Sequence, residues 1–158
     1  YVGGSEEAFV NMMNRRAQEL MANGTHFMNP HGLHDDNHYT TAYDLYLIFN
    51  ECIKHEDFVN IIQSEAYTAY YTDVDGNSQE ALFTPTNLYA QGEVDVPENV
   101  TIVGGKTGTT DEAGYCLILM EKDSSDNPYI SIVMGASEKP VLYEDMTSLI
   151  EAIPSGQQ

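Results

Sequence analysis

Val103-Gly104-Gly105-Lys106-Thr107-Gly108-Thr109-Thr110-Asp111-Glu112-Ala113-Gly114-Tyr115-Cys116-Leu117 is the stretch whose reading decides the fold of this chain. A β-branched run from Val100 to Val103 leads into it, and an apolar strand from Tyr115 to Met120 leaves it. Gly104, Gly105 and Gly108 surround Lys106. Glycines on a strand let another backbone approach closely. A lysine there can hold a carboxylate as a charge-assisted pair, and Thr107 and Thr109 add hydroxyl donors. The segment suits the terminal carboxylate of an extended peptide laid along a sheet edge. A phosphate loop is ruled out, because the Gly-x-x-x-x-Gly-Lys-Ser/Thr order is absent. Alone, Lys-Thr-Gly is a short and unspecific match, so its surroundings carry the argument.

Downstream, Tyr129 to Met134 reads as a further apolar strand, and the polar segment Asp123 to Pro128 before it as a hairpin loop. Leu142 to Ile153 predicts a closing amphipathic helix ended by Pro154 and Gly156, with a frayed Gly-Gln-Gln tail. Upstream, Ala66 to Thr72 and Ser78 to Thr84 flank Asp75-Gly76, a hairpin turn signal. Before them the period becomes helical. The first helix is predicted from Glu6 to Asn23, with Ser5 as N-cap and Asn23-Gly24 as the C-terminal signal. Its apolar face carries Phe9, Val10, Met13, Ala17, Leu20 and Met21. A second helix starts at Thr40 or Thr41, where Thr41 and Asp44 resemble a capping box. A short third helix spans about Asp57 to Gln63. The chain therefore divides into a helical part, about 1–64, and a strand-rich part, about 65–158.

Composition narrows the partners. In 158 residues there are 25 Asp and Glu against 6 Lys and Arg, a formal net charge of −19. Nothing so acidic neutralises a nucleic-acid backbone or docks electrostatically on an anionic membrane. Apolar residues make up 42%, enough for a real core. No apolar run approaches a membrane span, and no basic-then-apolar leader opens the chain. Starting at Tyr1, it reads as a processed or trimmed piece. Cys52 and Cys116 sit in apolar runs and read as buried free thiols, with a disulfide left open.

Four of the five histidines, His26, His31, His34 and His38, fall between the first two helices together with Asp35 and Asp36. Imidazoles and carboxylates can bind a metal. However, His31, His34 and His38 share a face only on a helix, which Pro30, Gly32 and Asp35-Asp36-Asn37 oppose. The favoured reading is a compact loop whose polar side chains tie its own backbone.

In its full context the Val103–Leu117 run resembles the third active-site motif of the serine-type D-alanyl-D-alanine carboxypeptidases, the low-molecular-mass penicillin-binding proteins. Two upstream segments are similar to the same family: Thr25-His26-Phe27-Met28-Asn29-Pro30-His31-Gly32-Leu33 and Tyr39-Thr40-Thr41-Ala42-Tyr43-Asp44-Leu45. Thr86-Asn87-Leu88 resembles the segment that precedes the third motif. The resemblance implies an α/β fold of the β-lactamase/transpeptidase type, a mainly antiparallel sheet with flanking helices and a helical lobe. It also implies removal of the terminal D-alanine from peptidoglycan stem peptides through a serine acyl-enzyme, which β-lactams trap, without a cofactor.

By that resemblance Lys106, Thr107 and Gly108 bind the substrate carboxylate, and Thr109 lies beside the oxyanion donors. The family's Ser-x-x-Lys and Ser-x-Asn motifs are not found where it places them. No serine here has a lysine three positions later, and Ser125-Asp126-Asn127 follows Lys-Thr-Gly instead of preceding it. The chain is therefore expected to be the C-terminal part of an exported catalytic domain, lacking the first strands of the sheet and inactive by itself. The Lys106 strand is expected to be an exposed edge that invites homodimerisation or strand exchange. A second reading is a non-catalytic module of the same descent that binds peptidoglycan peptides or partners.

Overall fold

Tyr115, Leu117, Leu119, Glu121 and Asp123 alternate along one strand toward one face, and they organise the core. The computed structural model describes residues 1–154, so the expected Gly-Gln-Gln tail lies outside the described residues. The helices α1 (Glu6–Glu19), α2 (Ala42–Cys52) and α3 (Glu56–Ile62) come first. The hairpin of β1 (Tyr67–Thr72) and β2 (Ser78–Phe83) follows, then the single turn α4 (Leu88–Gln91). The strands β3 (Val100–Thr110), β4 (Gly114–Asp123) and β5 (Pro128–Ala136) precede α5 (Lys139–Glu151).

β3, β4 and β5 form an antiparallel sheet in the order β3-β4-β5, and among the described residues β1 pairs only with β2. This is the α/β architecture that the sequence suggested, with the Lys106 strand at a sheet edge among the described residues. α5 lies on one face of the sheet. Between them Leu117, Leu119, Leu142, Met146 and Ile150 are buried. Fully burying one such side chain stabilises by about 1.5–3 kcal/mol. Tyr89 from α4 and Tyr143 from α5 close this core edge to face, with centroids 5.4 Å apart. α2 packs against β5 and α3 against β3.

Several boundaries differ from the sequence reading. α1 ends at Glu19, four residues before the expected Asn23. Met21 takes a left-handed φ of 63°, Ala22 N–H donates to the Ala17 carbonyl and Met21 N–H to that of Gln18. This is a Schellman ending with methionine where glycine is usual. Gly24 does not cap the helix; a Cβ there would sit 3.0 Å from the Thr41 methyl group. The α1 stripe is only half covered. Ala17 is buried, while Met21 is 67% exposed.

At α2, Thr41 caps Asp44 N–H at 3.1 Å. The Asp44 carboxylate does not complete the box; it accepts instead from the Thr25 hydroxyl at 2.7 Å. α5 begins at Lys139, three residues before the expected Leu142, because Pro140 suits the first turn of a helix. Cys52 and Cys116 are free thiols, half-buried and not fully buried as expected.

Candidate functional site

One extra residue in β3 decides where Lys106 points. Ile102 faces Glu121 across the ladder, yet Gly104 faces Met120, so Val103 is bulged out. A bulge moves every later side chain to the other face. Ile102 lies on the α5 side, packed on the core. Beyond the bulge Gly105, Thr107 and Thr109 face that side, opposite Leu119, Leu117 and Tyr115. Lys106 and Gly108 therefore face away from α5, opposite Ile118 and Cys116. Without the bulge Lys106 would be driven into the core.

The glycines around Lys106 have separate reasons. A Cβ at Gly104 would lie 2.2 Å from the Ile62 carbonyl oxygen at the end of α3. The close backbone approach that the sequence suggested thus occurs inside the chain. A Cβ at Gly105 would lie 2.2 Å from the Ile118 carbonyl oxygen. Gly108 is different, since among the described residues nothing lies within 4 Å of where its Cβ would be. Packing in this chain does not demand glycine there, and the space beside it is open.

Because β3 is an edge strand, side chains from both its faces reach one rim. Lys106, Thr107, Gly108 and Thr109 line a cavity of about 340 Å³ with Thr86, Cys116 and Lys139. The Thr86 and Thr107 hydroxyls share a 2.6 Å hydrogen bond, and the Lys106 ammonium donates to the Thr107 carbonyl. Sequence reasoning missed Lys139, which enters from the first residue of α5. Its signal was in the charge pattern: Lys54 pairs with Glu51 and Lys122 with Asp126, each at 2.8 Å. Among the described residues Lys106 and Lys139 have no such partner, and both border this cavity. A second, more apolar cleft of about 710 Å³ lies along the same edge, between Lys106 and Thr107 and the side chains of Ile61, Tyr67 and Phe83.

The histidine-rich loop uses its polar groups on itself, as the sequence suggested. His26 and Tyr39 exchange backbone hydrogen bonds of 2.8 and 3.0 Å. Asn14 clamps the Phe27 backbone with both side-chain atoms, at 2.7 and 2.8 Å. His38 Nδ1 accepts from Met28 N–H, and His31 Nδ1 from Leu33 N–H. Burial pushes the His38 imidazole below its usual value, with Asp35 opposing. His34 lies 3.8 Å from Glu112, which brings the loop against the β3–β4 turn beyond Thr109.

Ser125-Asp126-Asn127 forms the β4–β5 turn beside Val100, far along the sheet from Lys106. Asn127 Nδ2 donates to Asp123 at 2.8 Å, so its side chain serves the turn.

A family model described as D-alanyl-D-alanine carboxypeptidase matches residues 1–138. The D-alanyl-D-alanine carboxypeptidase DacF of Bacillus subtilis is 31% identical over 151 residues, 96% of this chain and 36% of DacF. DacC of Escherichia coli is 28% identical over 150 residues, 95% of this chain and 34% of DacC. The crystal structure of the Streptomyces K15 DD-transpeptidase matches with a TM-score of 0.80 at 25% identity, covering 92% of this chain and 53% of that one. DacD from Francisella tularensis, at 22% identity and a TM-score of 0.78, shares the fold. The chain thus spans about a third of the curated relatives' length and about half of the K15 structure.

Proposed function

The chain belongs to the D-alanyl-D-alanine carboxypeptidase family, and from that premise we propose that it supplies the substrate-carboxylate-binding strand of a serine D-Ala-D-Ala carboxypeptidase. The substrate is a peptidoglycan stem peptide ending in D-Ala-D-Ala, and the parent enzyme works on the outer side of the cytoplasmic membrane. No helix among the described residues is long and apolar enough to cross a membrane.

The observation that carries this reading is the shared cavity at the β3 edge, lined by Lys106, Thr107, Gly108 and Thr109. An extended peptide laid along β3 brings its terminal carboxylate to the Lys106 ammonium and the Thr107 and Thr109 hydroxyls. The carboxylate replaces the Thr107 carbonyl as the acceptor for Lys106 and enters the open space beside Gly108. A hydrogen bond to a charged group contributes about 1.5–3 kcal/mol. The overall charge of −19 repels an anionic ligand, so affinity comes from local geometry and not from long-range steering.

These 158 residues hold the anion site without a nucleophile. They contain no Ser-x-x-Lys, and the Ser125 segment belongs to a remote turn. With no activated serine there is no acyl-enzyme; what remains is binding. Incubation of the chain with penicillin, followed by mass spectrometry, is expected to show unmodified mass. It is also expected to release no D-alanine from a D-Ala-D-Ala peptide. A covalent adduct at any serine contradicts this reading.

A further inference from the structure

Glu121 belongs to no part of the site, and its position is anomalous. It lies on β4 in the alternating series that faces α5, two residues after the fully buried Leu119. Its own exposure is 0%, and neither carboxylate oxygen has a hydrogen-bond partner among the described residues. Buried polar groups without partners are rare and costly.

The elements around Glu121 supply no compensating charge among the described residues. From β3 it meets Ile102, which carries none, and from β5 Tyr129, its register partner. Ser131 on β5 favours the ionised carboxyl through its hydroxyl and its N–H, against the larger effect of burial, without making a hydrogen bond of ordinary geometry. Tyr89 from α4 is pushed up chiefly by burial, with Glu121 among the smaller causes, and is neutral through the physiological range; Tyr143 on α5 is likewise pushed up by burial. Glu151, at the end of α5, adds negative charge near Tyr89. Asp123 on β4 itself is held below its usual value, chiefly by Asn127, and stays ionised. Lys122 is paired with Asp126. Among the described residues, no cation pairs with Glu121.

We propose that Glu121 is a proton-operated latch on α5: neutral, it lets the helix lie on the sheet, and ionised, it lifts the helix away. The consequence reaches the candidate site, because α5 carries Lys139, Leu142 and Tyr143, which line the Lys106 cavity. α5 is also tied to the segment that holds Thr86. The Tyr143 hydroxyl accepts from Leu88 N–H at 3.0 Å, and the Tyr89 and Thr147 hydroxyls lie 2.7 Å apart. Loosening α5 therefore loosens both the cavity wall and the Thr86–Thr107 contact.

Burial raises the Glu121 carboxyl from 4.5 to about 7. The closed state then holds a proton that the open state releases, so closure weakens as pH rises between these values and levels off above about 7. Such a shift corresponds to a roughly 300-fold larger opening constant above the window than below it.

The test is amide hydrogen exchange of the 158-residue chain across this window, corrected for the intrinsic pH dependence of exchange. The α5 amides are expected to lose roughly 300-fold in protection as pH rises, while the central β4 amides stay protected. In Glu121→Gln the α5 protection is expected to be independent of pH. Three results overturn the latch: α5 protection that does not change with pH in the natural sequence, the same change persisting in Glu121→Gln, or β4 opening in step with α5. If Glu121→Gln fails to fold, ¹³C NMR of the Glu121 carboxyl in the natural sequence decides instead. A midpoint in the ordinary carboxylate range overturns the proposal, and one near neutrality supports it.

Discussion

In both the β1–β2 and the β4–β5 hairpins an aspartate stands where the first strand ends, and an asparagine immediately precedes the second. Asp73 Oδ1 accepts from Asp75 and Asn77 N–H at 3.0 and 2.9 Å. Asp123 Oδ1 accepts from Ser125 and Asn127 N–H at 2.8 and 2.9 Å. The backbone bonds match too: Asp73 to Asn77 at 3.0 Å and Asp123 to Asn127 at 3.1 Å. The fourth residue of each loop is left-handed, Gly76 at φ 85° and Asp126 at φ 67°. Hydrogen bonding holds both aspartates below their usual range, chiefly from Gln79 for Asp73 and from Asn127 for Asp123.

The turns agree, and the strands they join do not. On β1 and β2, Tyr70, Leu82 and Phe83 are 78%, 68% and 59% exposed, and among the described residues the hairpin pairs with no third strand. β4 is flanked by strands on both sides and buries Leu117 and Leu119 under α5. Turn chemistry brings a hairpin's strands together locally, and burial of one face decides whether the hairpin becomes a scaffold. The candidate site sits on the buried sheet, because Lys106 and the threonines need a strand whose position β4 fixes.

Truncation is the strongest way to break this comparison. Leu119→Ala is expected to lose about 2–5 kcal/mol in urea denaturation. Leu82→Ala is expected to stay within about 0.5 kcal/mol. Equal losses in the two hairpins contradict the division into scaffold and satellite. The turns sharpen it at smaller scale. Gly76→Ala is expected to cost about 1 kcal/mol, because an L side chain resists the left-handed region. Asp126→Gly is expected to stabilise by less than about 1 kcal/mol, since it relieves that conformation and loses only the exposed contact with Lys122. Both follow from thermal or urea midpoints, and a destabilising Asp126→Gly removes the claim that the two turns are alike.

The sequence was most legible where period and punctuation agreed. The α2 start at Thr41, both hairpins and the order of β3, β4 and β5 follow from apolar alternation and turn residues. It was least legible where tertiary contacts override local preference. Met21 takes a conformation that glycine usually supplies, so α1 ends early. α4 is a single turn, too short for periodicity to register. The Val103 bulge has no residue signature beyond the glycine after it, yet it sets the face of Lys106. Lys139 joins the cavity only because α5 folds back over the sheet. Glu121 stands in an alternating series that marks it as core, and its charge argues the opposite.

Binding at the β3 edge is the central claim, and a paired titration tests it most directly. ¹⁵N-labelled chain is titrated with N-acetyl-D-Ala-D-Ala as the free acid and, separately, as its C-terminal amide. The acid is expected to shift the backbone amides of Lys106, Thr107, Gly108 and Thr109, and the uncharged amide to bind about tenfold or more weakly. Equal affinity for the two ligands, or shifts that spare β3, would contradict the account.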